Sequence, residues 1–127
     1  DIIENYRTNL AKLLKSNQFD NIPKLVNIFK EAWKNQKTVF FCGNGGSLAN
    51  AIHLANDFLY GAGKKEGIGI RTEALGANSA VLTCLANDVS YTKIFSEQLK
   101  VKGKAGDVLI ALSGSGNSEN IINNTLQ

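Results

Sequence analysis

The stretch VFFCGNGGSLANAIHLANDF, residues 39–58, joins an apolar run to a helical pattern through a glycine-rich turn. The run TVFFC predicts a buried strand, and the apolar spacing of residues 47–60 predicts a helix. Such a turn lies at the carboxyl end of a strand, where α/β folds bind ligands. Glycines allow close approach of a ligand, and the first N–H groups of a helix favour an anion. The stretch predicts either a ligand-binding turn or a tight turn capped by Ser47.

The spacing of the glycines excludes two common nucleotide-binding motifs. No Lys follows the turn, as a Walker A loop requires, and Gly43, Gly45 and Gly46 do not fit the G-x-G-x-x-G pattern. We therefore expect no nucleotide cofactor.

The remainder of the chain alternates between helical and strand-like patterns. Helices are predicted at residues 2–14, 22–33, 91–102, with Gly103 just past the end, and from 119 onward, and strands at 68–75 and 106–112. Residues 79–88 fit a helix or a strand, and we favour a helix. This order predicts an α/β fold with a doubly wound parallel sheet behind two leading helices. We divide it into an N-terminal helical hairpin, residues 1–37, and a partial α/β domain, residues 38–127, and expect further strands beyond Gln127.

The composition and charge of the chain indicate which classes of protein it fits. With 127 residues and 43% hydrophobic residues, the chain has the size and apolar content of one domain with a core. Its net charge of +3 comes from scattered lysines, which makes nucleic-acid binding unlikely. No apolar run approaches the ~20 residues that cross a bilayer. Only two cysteines, Cys42 and Cys84, are present, and they suggest a reducing, cytoplasmic environment.

A second glycine-containing turn follows the last predicted strand. SGSGNS, residues 113–118, places three hydroxyls before a helix, and no Arg or Lys lies within it. Such a loop can donate hydrogen bonds to the terminal oxygens of a phosphate. The alternative is a serine-rich loop with Asn117 or Ser118 as the helix N-cap. We favour phosphate binding, because two glycine-rich turns would lie on one edge of the sheet.

The helix after the first turn has two different faces. Its apolar face is formed by Ala51, Ile52, Ala55 and Leu59, and its polar face by Asn50, His53 and Asp57. His53 and Asp57 are four residues apart and could share a metal ion, although two ligands are half of a zinc site. The alternative is a solvated pair on an exposed helix.

Three segments resemble the sugar isomerase (SIS) domain in order and spacing. They are CGNGGSLANAIHLANDF, LANDVSYTKIFSEQL and GDVLIALSGSGNSENII. The chain resembles the phosphoheptose isomerases over nearly its whole length, including the leading helices. This resemblance implies a flavodoxin-like parallel sheet, homotetramers and active sites at subunit contacts. The implied activity converts sedoheptulose 7-phosphate to an aldoheptose 7-phosphate for surface polysaccharide such as lipopolysaccharide.

The resemblance also implies roles for individual residues. Ser113, Ser115 and Ser118 would hold the phosphate. The open-chain sugar would lie against Asn44, Gly45, Ser47, Asn87 and Asp88. His53 matches a histidine that can bind zinc, with Asp57 as a second ligand, and Asp57 also stands where the family has its catalytic Glu.

This chain departs from the family at its candidate catalytic residue. Asp57 is one methylene shorter than Glu, and the family's ELTGR is replaced by the longer DFLYGAG, which lacks the Arg. The family's second catalytic group, a His, falls beyond Gln127. Two alternatives to the heptose isomerase therefore stay open. One is a phosphosugar-binding or adaptor module without catalysis, and the other is an isomerase for a different phosphosugar.

Overall fold

The computed structural model describes residues 1–65 and 67–123. By internal contacts the chain forms two compact units, Asp1–Glu31 and Ala32–Gln127. The helices are α1 (Ile2–Leu14), α2 (Ile22–Lys34), α3 (Gly46–Asn56), α4 (Ser79–Asp88), α5 (Ser96–Lys102) and α6 (Glu119–Ile122). The strands are β1 (Thr38–Gly43), β2 (Arg71–Ala74) and β3 (Val108–Leu112). The helix predicted over residues 79–88 is confirmed, whereas residues 124–127 of the last predicted helix lie outside the described residues.

In the first unit, α1 begins at a side-chain cap. The carboxylate Oδ1 of Asp1 accepts a hydrogen bond from the backbone N–H of Ile3 at 3.1 Å, which satisfies one of the unpaired donors at the helix start. The apolar residues of α1 recur at helical spacing, yet none of its side chains is buried. Ile3 and Leu14, for example, are 67% and 63% exposed.

The second unit is built on a parallel sheet with strand order β2-β1-β3. The central strand β1 pairs with β2 through Thr38 opposite Arg71, and with β3 through Gly43 opposite Leu112. Every residue of β1 after Thr38 is buried, as expected for a parallel strand covered on both faces. The predicted doubly wound parallel α/β class is confirmed.

The two faces of β1 contribute to separate parts of the core, because side chains alternate along a strand. Phe40 and Cys42 join a cluster that includes Phe95, which is fully buried just before α5. On the other face, the ring of Phe41 stacks on Phe58 with centroids 6.1 Å apart. Here α3 covers the strand through Ala51, which is also fully buried.

The helix predicted over residues 47–60 changes geometry before its end. The α-helical pattern stops at Asn56, and Asp57–Gly61 forms a π-helical turn in which the N–H of Ala62 donates to the carbonyl of Asp57 at 3.0 Å. A π-turn accommodates one more residue per turn than an α-helix. It therefore fits the segment DFLYGAG, which is longer than the segment it resembles.

The prediction of an apolar and a polar face on α3 is only partly correct. Ala51 and Ala55 are buried, but Ile52 and Leu59 are 40% and 56% exposed. Leu59 leaves the apolar face because the π-turn changes the angular spacing after Asn56. The small alanines bring α3 close to the sheet, and the buried stripe is narrower than the predicted one.

The helix predicted over residues 91–102 is divided in two. Tyr91–Lys93 forms a 3-10 turn, and α5 begins at Ser96. The hydroxyls of Ser90 and Thr92 hydrogen-bond each other at 2.8 Å, and Ser96 Oγ donates to the carbonyl of Lys93 at 3.3 Å. Such local side-chain bonds compete with a continuous helix. As predicted, Gly103 lies directly after the last helical residue.

None of the helices in residues 1–65 and 67–123 has the length and apolar character to cross a membrane.

Candidate functional site

Two glycine-containing turns lie side by side at the carboxyl edge of the sheet. Because Gly43 pairs with Leu112 at the ends of β1 and β3, the turns starting at Asn44 and Ser113 leave the sheet at neighbouring points. The predicted placement of both turns on one edge is therefore confirmed. In open α/β sheets this edge is where ligands bind.

The first turn needs glycine for two physical reasons. A Cβ atom at Gly43 would lie 2.7 Å from the carbonyl carbon of Ser47, so a larger residue would displace the start of α3. Gly45 has a φ of 53°, in the left-handed region that favours glycine. Gly45 is also the N-cap of α3, whereas half-buried Ser47 lies inside the first helical turn. The alternative in which Ser47 caps the helix is therefore wrong.

A cleft of about 160 Å³ opens beside this turn. Asn44 and Gly45 line it from the turn, and Thr83 and Ala86 line it from α4. Tyr91 completes its polar lining, while its apolar wall includes residues of the core. The cleft therefore combines an apolar base with a few polar groups, which is typical of small-molecule sites.

Asn44 is held by two side chains far from it in sequence. Its Nδ2 donates to Oδ1 of Asn120 at 2.8 Å, and its Oδ1 accepts from Nδ2 of Asn120 at 2.8 Å. The hydroxyl of Tyr91 donates to the same Oδ1 at 3.0 Å. Asn120 is only 2% exposed. The reciprocal amide pair thus links the first turn to α6, which follows the second turn.

The second turn is organised by its own hydroxyls. The oxygen of Ser113 accepts the N–H of Gly116 at 3.0 Å, and the oxygen of Ser115 accepts the N–H of Asn117 at 3.2 Å. Ser118 is the residue before α6, but its side chain makes no cap hydrogen bond. Ser118 therefore occupies the N-cap position that the alternative predicted, and it caps the helix without a side-chain hydrogen bond.

The structure does not bring Asn87 and Asp88 into the cleft. Both are exposed at the end of α4, where Asn87 Nδ2 donates to Asp88 Oδ1 at 2.8 Å. The thiol of Cys84 donates to Asp88 Oδ2 at 3.4 Å. This hydrogen bond, followed by the negative charge of Asp88, raises the pKa of Cys84 above its ordinary value.

His53 and Asp57 lie on the face of α3 away from the sheet, as predicted. Nε2 of His53 is 3.2 Å from Oδ2 of Asp57, and the side chains are 74% and 53% exposed. Neither residue lines the cleft. Asn56 Nδ2 adds a weak hydrogen bond to Asp57 Oδ1 at 3.4 Å.

The predicted zinc ligands are close enough to contact one ion together. However, no cluster of three or more His, Cys, Asp or Glu that could hold a metal occurs within residues 1–65 and 67–123. A structural zinc site needs four ligands, and a catalytic one usually takes three from protein. These residues alone therefore do not fit a complete zinc site.

Sequence reasoning missed two residues of this site, Tyr91 and Asn120. The continuous helix that the sequence predicts from residue 91 onward gives the ring of Tyr91 no defined partner. Asn120 stands directly before the buried Ile121 in the first turn of an apolar helix. The available signal is this polar residue beside a buried apolar one near the start of a helix. A buried amide at such a position usually has hydrogen-bond partners.

Comparison with known proteins gives a consistent picture. The SIS domain family model matches residues 4–127. The phosphoheptose isomerase of Clostridium acetobutylicum is 44% identical over 111 residues, which are 87% of this chain and 56% of the relative. That of Aliarcobacter butzleri is 37% identical over 118 residues, 93% of this chain and 61% of the relative. The chain thus spans somewhat more than half of the length of these relatives.

Solved structures of phosphoheptose isomerases share this fold. The structure of phosphoheptose isomerase GmhA from Neisseria gonorrhoeae superposes with a TM-score of 0.79 at 28% identity, covering 98% of this chain and 67% of that one. A phosphoheptose isomerase from Francisella tularensis gives a TM-score of 0.86 at 27% identity, covering 98% and 66%. With the sheet order, the paired turns and the family match in agreement, the chain belongs to the SIS domain family.

Proposed function

We propose that the intact protein is a phosphosugar isomerase that interconverts a ketose phosphate and an aldose phosphate. The substrate that we favour is sedoheptulose 7-phosphate, which would yield an aldoheptose 7-phosphate for surface polysaccharide. The names of the relatives support this choice of substrate. The observation that carries the proposal is the register of Gly43 with Leu112, because it sets a serine-rich turn beside a polar cleft.

The serine-rich turn is suited to a phosphate because its hydroxyl oxygens are already used as acceptors. Ser113 and Ser115 accept backbone N–H groups, and no described residue accepts the hydroxyl hydrogen of either. Those hydrogens remain as donors, which is what a phosphate dianion needs. Ser118 would supply a third hydroxyl. These groups would position the sugar without taking part in the chemical step.

The chemical step that we propose is a proton transfer between C1 and C2. A carboxylate takes the proton from C1 of the open-chain ketose, and the electron pair moves to the C2 carbonyl oxygen to form an enediolate. Return of a proton to C2, with transfer of the hydroxyl proton from O1 to O2, gives the aldose. Asp57 is the candidate base. We derive no step through zinc, because the described residues supply only two ligands.

Asp57 lies outside the cleft of a single chain, so the proposal also requires a second copy to complete the site. The exposed apolar side chains of α1 support self-association, since large exposed apolar surfaces usually mark contacts. We propose a homo-oligomer, and the resemblance favours a tetramer. A cytoplasmic location and the absence of a nucleotide cofactor stay predictions from the sequence.

A phosphosugar-binding module without catalysis is the second candidate. The exposed His53–Asp57 pair favours it, because a base must reach the carbon acid and a shortened, solvated carboxylate is poorly placed to do so. Such a module would use the same cleft and serine turn. It would differ from the isomerase only in lacking turnover.

Proton exchange at C1 and C2 distinguishes the two candidates. The intact protein is incubated in deuterium oxide with sedoheptulose 7-phosphate and with other ketose phosphates, and deuterium uptake is followed by NMR. Uptake that is lost in Asp57→Asn supports the isomerase. Binding of a phosphosugar without uptake supports the module, and absence of binding contradicts both candidates.

A further inference from the structure

We propose that Tyr91 and Asn120 are positioning residues that hold the amide of Asn44 as a fixed hydrogen-bond donor toward an oxygen of the sugar. The identity of the ligand rests on the proposed function. The orientation of the amide does not, because it follows from contacts within the chain.

The acceptor capacity of Asn44 is already filled. A carbonyl oxygen has two lone pairs, and Oδ1 of Asn44 accepts from both Tyr91 and Asn120. Nδ2 carries two hydrogens, of which one is donated to Asn120. Within the described part of the chain, the second hydrogen of Nδ2 has no acceptor. Asn44 can therefore offer a ligand a donor but no acceptor.

Burial of the partner makes this orientation costly to reverse. Asn120 is 2% exposed, and it is followed by Ile121, which is buried in the core and fixes the start of α6. Breaking the amide pair would remove two hydrogen bonds from a buried side chain. Rotating Asn44 by itself would place Nδ2 against Nδ2 of Asn120. Both amides must therefore turn together, and the hydroxyl of Tyr91 would then face Nδ2 of Asn44 and have to accept where it now donates.

A fixed donor is useful in this cleft because Asn44 lines it and is half buried. A preorganised N–H group stabilises an oxygen that gains negative charge, and it does so without reorienting during the reaction. It also favours a ligand oxygen at this point over an ammonium group. Tyr91 and Asn120 would act through Asn44, whereas the serine turn would hold the phosphate independently.

The orientation is tested first in the ligand-free intact protein. We expect separate NMR signals for the two Nδ2 hydrogens of Asn44. The hydrogen that Asn44 donates to Asn120 should exchange with solvent about 5- to 10-fold more slowly than the other hydrogen. A hydrogen bond of ordinary net strength implies a difference of this size. In Asn120→Ala the difference should vanish. Equal exchange rates in the unaltered protein would overturn the proposal. If Asn120→Ala does not fold, the comparison is made with Tyr91→Phe, in which we expect the shifts of both hydrogens to move.

The role in sugar binding is tested with a double-mutant cycle. Tyr91→Phe should weaken binding of sedoheptulose 7-phosphate by about 3- to 10-fold and leave inorganic phosphate binding unchanged. In an Asn44→Ala background, Tyr91→Phe should have no further effect, since coupled residues are not additive. Tyr60→Phe is the matched control, because it removes the hydroxyl of an exposed tyrosine outside the cleft.

Each outcome has a separate meaning. Independent effects of Tyr91→Phe and Asn44→Ala, or equal losses for the sugar phosphate and for inorganic phosphate, would overturn the positioning role. If the unaltered protein binds no sugar phosphate, the proposed function fails, and the exchange rates of Asn44 still decide whether its amide is fixed.

Discussion

The side chains of His53 and Asp57 meet one helical turn apart, with Nε2 3.2 Å from Oδ2, at the point where α3 gives way to a π-helical turn. The carbonyl of Asp57 is the acceptor that opens this turn. The candidate base therefore lies at a change in helix geometry, and π-turns of this kind occur frequently at functional sites. Five predictions concern this pair, the serine turn, α1, and two glycines at and beyond the end of the π-turn.

Asp57 should matter more for catalysis than His53. We expect Asp57→Asn to lower kcat by about 100-fold or more, because it removes the general base. His53→Ala should cost less, since it leaves the carboxylate in place. The measurement is turnover of sedoheptulose 7-phosphate by the intact protein. Full activity of Asp57→Asn would show that Asp57 is not the base.

Asp57→Glu separates two explanations of the shorter side chain. A rise in kcat would mean that the missing methylene limits the reach of the base, since ~1 Å of misplacement can cost ~100-fold in rate. No rise would mean that the backbone or the sugar has shifted to meet Asp57.

Loss of two hydroxyls in the second turn should weaken phosphate binding. Replacing Ser115 and Ser118 together with Ala should reduce phosphosugar affinity by roughly 1–3 kcal/mol, which is the cost of leaving hydrogen-bonding groups unpaired. Calorimetry measures the effect, and Ser79→Ala, at the start of α4, is the matched control. Unchanged affinity would identify the turn as a structural loop only.

The apolar face of α1 should carry the association of subunits. We expect Leu10→Glu to shift the intact protein toward smaller species in sedimentation, because a charge is placed among exposed apolar side chains. Thr8→Glu, on the opposite face of the same helix, is the control and should leave the assembly intact. An unaltered protein that sediments as a compact monomer at micromolar concentration contradicts this prediction.

The chain should tolerate a side chain at the last glycine of the π-turn, Gly61, and not at Gly69 beyond it. A Cβ atom at Gly69 would lie 1.6 Å from the carbonyl oxygen of Leu59, whereas one at Gly61 meets nothing within 4 Å. Gly69→Ala should therefore destabilise the protein by about 1–3 kcal/mol, as overpacking does. Gly61→Ala should be close to neutral. Denaturant unfolding measures both, and equal stabilities would mean that the close approach is relieved without cost.

The sequence alone determined the class of fold and the edge of the sheet at which the two turns lie. Apolar runs such as residues 38–42, each ending in a glycine-rich turn, are local signals of buried parallel strands. Once such strands pair in parallel in one sheet, the turns that follow them must leave the sheet at the same edge. The resemblance added candidate roles for Asn44, Asp57 and the serines.

The tertiary structure decided which of those side chains meet. Asn44 and Asn120 are separated by 76 positions and pair only because β1 and β3 are neighbours. Asn87 and Asp88 stand near the cleft lining in sequence, but the end of α4 directs them to Cys84 and to each other. The orientation of a side chain depends on contacts that local periodicity does not encode, and so the amide network could be found only in the folded chain.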